Sequence, residues 1–144
     1  MKKVVLVSLL FSSFVGSQAY AYYPVEAEEL TALYHRIEHG EVNSAVRELE
    51  ALSDTDVYNA DVWSLLGYAK RKSGDLIGSE SAYKQALRLE PNHKAALSYQ
   101  GELFIRQGKR AQAQENLRQL QLLCKQQAEQ ECKELHALDT ALKR

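Results

Sequence analysis

Residues 60–93 read ADVWSLLGYAKRKSGDLIGSESAYKQALRLEPNH, and this stretch carries the clearest pattern in the chain. Its glycine at position 74 recurs at one constant interval, upstream as Gly40 and downstream as Gly108. A small residue lies five positions after each of these glycines, and a larger apolar residue lies nine positions after it. The small residues are Ala45, Ser79 and Ala113, and the larger ones are Leu49, Tyr83 and Leu117. A period of 34 indicates a repeated helix-turn-helix unit, because such pairs bury their apolar faces by stacking on neighbours.

The glycines of this pattern fall into two groups. Gly40, Gly74 and Gly108 lie between predicted helices, where a left-handed cap is favoured at a helix C-terminus. Gly67 and Gly101 are separated by the same interval, but they lie inside predicted helices. There a glycine is less favourable than alanine by roughly 1 kcal/mol. We expect a close approach of a neighbouring helix to offset that cost at both positions.

The central unit resembles the tetratricopeptide repeat family. Trp63, Leu66 and Gly67 match the W-x-x-L-G opening of that family, whereas Lys70 departs from it, since an aromatic residue is usual there. The remaining matches within the unit are Ser79, Tyr83, Ala86 and Pro91. The resemblance implies an all-α fold, a right-handed superhelical stack of three helix-turn-helix pairs plus a C-terminal capping helix. It implies a degenerate repeat at 26–59, further repeats at 60–93 and 94–127, and a capping helix at 128–143. All of these lie within one domain at 22–144.

The N-terminal segment 1–21, MKKVVLVSLLFSSFVGSQAYA, has the features of a cleaved signal peptide. Two lysines precede an apolar stretch, and Ala19 and Ala21 supply the small residues that a signal peptidase requires. The apolar stretch is shorter than the roughly 20 residues that span a bilayer. We therefore predict cleavage after Ala21, export to the bacterial periplasm, and no stable membrane anchor afterwards.

The mature chain keeps both cysteines, Cys124 and Cys132. In an oxidising compartment such a pair usually forms a structural disulfide. In one continuous helix, residues eight apart would be about 12 Å apart, which is too far for a disulfide. A bond therefore predicts a turn near residues 124–128, while reduced thiols would leave one long helix possible. A redox role for the pair stays open as an alternative.

The sequence contains none of the catalytic motifs that we sought. It has no G-x-S-x-G, Gly-rich phosphate loop, H-E-x-x-H or C-x-x-C, so we predict neither an enzyme nor a cofactor. His35 and His39 lie four apart on a predicted helix and could share a metal, but no further ligand follows at recognisable spacing. We therefore predict no metal site. Without Lys2 and Lys3 the mature chain has 16 basic and 19 acidic residues, and its net charge of −3 argues against nucleic acid as a partner.

The resemblance assigns a concave groove to the first helix of each pair. Its predicted groove residues are Tyr34, Ser64, Tyr68, Arg71, Lys72, Ser98, Glu102 and Arg106, with Leu30, Ile37 and Ile105 beside them. It implies an adaptor or scaffold that holds a protein or peptide segment in this groove. Two alternatives remain: a structural subunit of an envelope complex that uses its end faces, and a redox or metal-binding protein. The sequence leaves the oligomeric state open.

Overall fold

The computed structural model describes residues 25–125 and 132–144. The predicted signal peptide and the first residues of the predicted capping helix lie outside these ranges. Within them the chain forms seven helices and no strand. In chain order, the helices are α1 (Ala27–Glu38), α2 (Val42–Thr55), α3 (Ala60–Ser73), α4 (Leu76–Leu89), α5 (Lys94–Arg106), α6 (Arg110–Cys124) and α7 (Lys133–Leu142). The predicted all-α repeat fold is confirmed.

Local sequence signals account for the helix ends. The side chains of Asn59, Asp75 and His93 accept hydrogen bonds from backbone N–H groups in the first turns of α3, α4 and α5. These bonds satisfy donors that a helix N-terminus otherwise leaves without partners. Gly74 ends α3 in the left-handed region with φ of 93°. Gly40 and Gly108 also have positive φ, so the predicted left-handed turns are confirmed at all three glycines.

The helices pack as successive pairs in sequence order. Helix α1 packs on α2, α3 on α4, and α5 on α6, while α2–α3, α4–α5 and α6–α7 contacts join neighbouring pairs. The first helices also contact one another in series, from α1 to α3, α5 and α7. These helices therefore share one face of the stack, and any groove on that face is lined by them.

Close packing explains the two glycines inside helices. A Cβ at Gly67 would lie 2.6 Å from the ring of Tyr83 on α4. A Cβ at Gly101 would lie 2.5 Å from a methyl group of Leu138 on α7. Both distances are too short for real carbon contacts, so only glycine allows these side chains to pack against the helix backbone. The predicted close approach is confirmed at both positions.

Helix α7 is separate from α6 and folds back against it. Cys124 ends α6 and Cys132 immediately precedes α7, and their Cα atoms are 6.1 Å apart rather than the roughly 12 Å of a continuous helix. The two sulfur atoms lie at disulfide distance. Leu138 and Leu142 of α7 are buried against Leu97, Phe104 and Leu120 of α5 and α6. This apolar contact is the packing expected of a capping helix.

Within residues 25–125 and 132–144, the hydrophobic interior has two clusters along the stack. One gathers buried residues of α1, α2 and α3 with Ala82 of α4, and the other gathers residues of α5, α6 and α7. Partly buried Trp63 packs against the first cluster, and its indole N–H donates to the backbone carbonyl of Val57 at 2.9 Å. Among the described helices, none combines the length and the apolar character needed to cross a bilayer.

Candidate functional site: a groove lined by α3, α5 and α7

A groove with a volume of about 800 Å³ lies on the face shared by the first helices. Its walls combine charged side chains with small apolar ones. The lining residues are Arg71 of α3, Glu102, Ile105 and Arg106 of α5, Lys133, His136, Ala137, Thr140 and Ala141 of α7, and Arg144 beyond it. Three of the predicted groove residues, Arg71, Glu102 and Arg106, are therefore brought together here.

Arg71 lies at the base of this groove and is only 8% exposed. Its guanidinium Nη2 lies 2.8 Å from Oε2 of Glu102, and its charge lies 5.2 Å from the centroid of the Tyr68 ring. Its backbone carbonyl accepts a hydrogen bond from Nη1 of Arg106 at 3.1 Å. Among the described residues, its buried Nε has no hydrogen-bond partner. Arg71 thus links α3 to α5 and holds a positive charge at the groove wall.

Tyr68 and Lys72 converge on one carboxylate at the end of α1. The Tyr68 hydroxyl donates to Oε1 of Glu38, and Nζ of Lys72 lies 3.2 Å from the same oxygen. The hydrogen bond from Tyr68 and the contact with Lys72 hold the pKa of Glu38 below its usual value. Burial, and then the bond to Glu38, raises the pKa of the Tyr68 hydroxyl. Tyr68 therefore stays protonated and joins α3 to α1.

A row of tyrosine rings crosses the first helices. The Tyr34 and Tyr68 ring centroids are 5.5 Å apart, and those of Tyr68 and Tyr99 are 4.7 Å apart. Burial raises the pKa of Tyr99 to about 12. Sequence reasoning did not select Tyr99, because the repeat period carries Tyr34 to Tyr68 and then to Glu102. On α5 the aromatic ring is therefore at Tyr99, whereas Glu102 occupies the position that the repeat period predicts for it.

The two predicted groove serines lie in the interior. Ser64 is 3% exposed and Ser98 is 1% exposed. The Ser98 hydroxyl donates to the backbone carbonyl of Glu134 at 2.9 Å, so α7 covers it. Ser64 is buried within the packing of α3. Partner contact through any predicted groove residue stays a prediction, and for these two serines it would require the packing to open.

The α7 side of the groove was missed because that helix was interpreted as a cap alone. The repeat period could have identified it, because His136 and Thr140 lie one further period after Glu102 and Arg106. Both of these residues line the groove. Helix α7 therefore occupies the place of the first helix of a further pair, and the groove extends onto it.

His35 and His39, at the end of α1, and the cysteine pair that joins α6 to α7 do not line this groove. His39 is exposed, and its Nδ1 lies 2.7 Å from the backbone carbonyl of His35. Within residues 25–125 and 132–144, no group of three or more His, Cys, Asp or Glu side chains could hold a metal ion. The paired cysteines are both buried.

Comparisons with known proteins agree with this geometry. The sequence model of the tetratricopeptide repeat matches residues 60–93. Two solved structures of SycD, a type III secretion translocator chaperone of Yersinia enterocolitica, share the fold. One, an alternative dimer, is 19% identical, with a TM-score of 0.68 over 84% of this chain and 94% of that one. The other is 17% identical, with a TM-score of 0.69 over 82% and 90%. Residues 60–93 thus match the tetratricopeptide repeat, and the chain shares the all-helical fold of these two structures.

Proposed function

We propose that this protein is an exported adaptor that binds a segment of another protein in the groove lined by α3, α5 and α7. The observation that carries the proposal is the groove itself, which three helices line with both charged and small apolar side chains. A surface of this kind suits a peptide or a helix better than a compact small molecule. SycD, which shares this fold, is a translocator chaperone, and this supports a protein partner. Binding rather than catalysis is the activity that we assign.

Export is part of the same proposal. Its support is the sequence of residues 1–21, with two lysines, an apolar stretch and Ala19-Tyr20-Ala21. The cysteine pair at disulfide distance supports an oxidising compartment, for which we propose the bacterial periplasm. Export is tested by determining the N-terminus and the cell fraction of the protein expressed with residues 1–144. An N-terminus at Tyr22 in the periplasmic fraction is expected, and an uncleaved cytoplasmic chain would contradict export.

Groove binding is tested by crosslinking in the native envelope with a variant that fills the groove. Ala137 and Ala141 line the groove on α7, so Ala137→Trp with Ala141→Trp places two large side chains in it. The matched control is Ser81→Trp with Gln114→Trp, which adds the same side chains at exposed positions of α4 and α6. Both variants must keep the circular dichroism of wild type.

The proposal expects one crosslinked protein to be lost from the groove variant and retained by the control. A partner that both variants retain would place the interface outside the groove, as a structural subunit using its end faces would require. A wild-type protein that captures no partner would contradict the adaptor function.

A further inference from the structure

We propose that the groove selects acidic segments, with at least two Asp or Glu side chains of one internal stretch of the partner bound along α7. This inference rests on the proposed function and adds the chemistry of the partner. Among the described residues that line the groove, Arg71, Arg106, Lys133 and Arg144 are basic and only Glu102 is acidic. Glu102 pairs with Arg71, which leaves the charges of the other three cations facing the groove.

This excess of positive charge is a local feature. The chain carries 18 basic and 19 acidic residues, so its net charge is slightly negative at pH 7. A groove of opposite sign to the molecule that carries it attracts anionic groups selectively, because the field is concentrated between low-dielectric walls. Charge complementarity of this kind contributes to partner choice more than to affinity. The favoured partner segment is therefore acidic.

The spacing of the cations favours side chains of a segment over a single terminal carboxylate. Lys133 is the first residue of α7, and Arg144 lies two residues beyond its end. At 1.5 Å per helical residue, α7 spans about 14 Å from Lys133 to Leu142, and Arg144 lies beyond that end. One carboxylate cannot contact both. An extended chain advances roughly 3.3 Å per residue, so acidic residues about five positions apart match this spacing.

The surface of α7 between these cations allows the backbone of a bound segment to approach closely. Lys133, Ala137 and Ala141 follow one another at intervals of four residues, which places them on one face of α7, and Arg144 lines the same groove beyond the end of the helix. The two alanines project little, and Ile105 of α5 adds an apolar side chain to the same lining. A segment with small or apolar residues between its acidic ones would pack against the two alanines and reach both Lys133 and Arg144.

The test is an array of synthetic 12-residue peptides of varied composition, probed with the protein spanning residues 22–144. Each peptide is made with acetylated and amidated ends, with a free C-terminal carboxylate, and with Gln in place of Asp and Glu. The charge-reversal variant is Lys133→Glu with Arg144→Glu. The matched control is Arg47→Glu with Arg88→Glu, which makes the same change of charge at positions of α2 and α4 outside the groove. Circular dichroism verifies that all three proteins are folded.

We expect peptides retained by wild type to be enriched in pairs of Asp or Glu about five residues apart, the spacing that an extended chain needs to reach both cations. The charge-reversal variant should bind them roughly tenfold more weakly, since each exposed ion pair contributes modestly to affinity. The control should bind as wild type does. Binding should weaken as salt increases, because screening shortens the reach of exposed charges.

Three results would overturn the proposal. They are equal retention of peptides in which Gln replaces the acidic residues, unchanged binding by the charge-reversal variant, and retention only of peptides with a free C-terminal carboxylate. The last result would indicate a site for a single terminal carboxylate. Peptides bound without acidic preference would leave the proposed function intact. Only the crosslinking experiment, and not the peptide array, can contradict the proposed function.

Discussion

At the scale of single residues, Gly67 shows how packing can reverse a helix propensity. Alanine is favoured over glycine inside a helix by about 1 kcal/mol. At Gly67, however, an added Cβ would lie 2.6 Å from ring carbons of Tyr83, whose side chain is completely buried. A buried ring held on all sides cannot move away without displacing its neighbours. The glycine is therefore required by α3–α4 packing.

We predict that Gly67→Ala lowers the free energy of unfolding by about 1–3 kcal/mol, as overpacking of a core usually does. Urea denaturation followed by circular dichroism measures the change. Gln114→Ala, at an exposed position of α6, is the control and should leave stability nearly unchanged. A Gly67→Ala variant more stable than wild type would show that the ring can yield.

A second pair of residues makes stability depend on pH. Nε2 of His93 lies 2.9 Å from Oδ1 of Asp61, and Nδ1 of His93 accepts from the backbone N–H of Ala96 only while the imidazole is neutral. Burial lowers the pKa of His93, but the hydrogen bond and charge of Asp61 raise it further, so the net direction is upward from 6.5. The hydrogen bond to His93 lowers the pKa of Asp61, whose side chain is otherwise exposed.

The pair should stabilise the fold most between about pH 4 and pH 6.5. A raised His93 pKa contributes stability below the unfolded value of 6.5 and loses it as the pH rises through the folded value. A lowered Asp61 pKa contributes stability above its unfolded value of 3.8 and loses it as the pH falls through the folded value. We predict that wild type loses more thermal stability than Asp61→Asn when the pH is raised from 6 to 8. Equal losses in thermal melts of the two proteins would contradict the coupling.

At the scale of elements, α7 depends on contacts from both α5 and α6. Ser98 of α5 donates to the carbonyl of Glu134, and Arg110 of α6 donates to the carbonyl of Leu142. The cysteine pair joins the start of α7 to the end of α6. Since α7 supplies one wall of the groove, the attachment of this helix also maintains the candidate site.

We predict that Cys124→Ala with Cys132→Ala lowers the free energy of unfolding by about 2.5 kcal/mol under oxidising conditions, which is the chain-entropy value for so short a loop. Urea denaturation with and without a reducing agent provides the measurement. Wild type should be destabilised by the reducing agent while the double variant is not. A wild-type protein that is insensitive to the reducing agent would show that the disulfide contributes no stability.

At the scale of the whole molecule, the described residues of the stack form two hydrophobic clusters rather than one central core. Leu49 is fully buried in the cluster of α1, α2 and α3, and Leu120 is fully buried in that of α5, α6 and α7. In a repeat stack, stability is approximately the sum of local units and the interfaces between neighbours. Damage in one cluster should therefore loosen that end first.

We predict that Leu49→Ala speeds native-state hydrogen exchange in α1 and α2 far more than in α5–α7, and that Leu120→Ala does the reverse. Each substitution removes a buried leucine and should lower stability locally by about 2–5 kcal/mol. Hydrogen exchange read by mass spectrometry resolves the segments. Equal acceleration along the whole chain in both variants would show a single cooperative unit instead.

Much of the architecture could be predicted, but the candidate site only in part. The glycines at 40, 74 and 108 mark turns because their requirement for positive φ is local. Arg71, Glu102 and Arg106 were expected on the face of the first helices, and all three line the groove, while contact with a partner through them stays a prediction. The burial of Ser64 and Ser98 and the contribution of Tyr99 were not foreseen. Each depends on how closely particular neighbouring helices approach, which a periodic pattern does not encode.

The sequence by itself determined the helical repeat, its period and the positions of its turns, because helix ends and amphipathic faces are local properties of the chain. The tertiary structure alone decided how far the groove extends. It places α7 beside α5 through contacts such as that of Ser98 with Glu134, which are distant in sequence. It thereby brings Lys133 and Arg144 into one groove with Arg71 and Arg106. Contacts at such separation arise only when the whole stack is formed, which is why the sequence indicated a cap and the structure a wall of the groove.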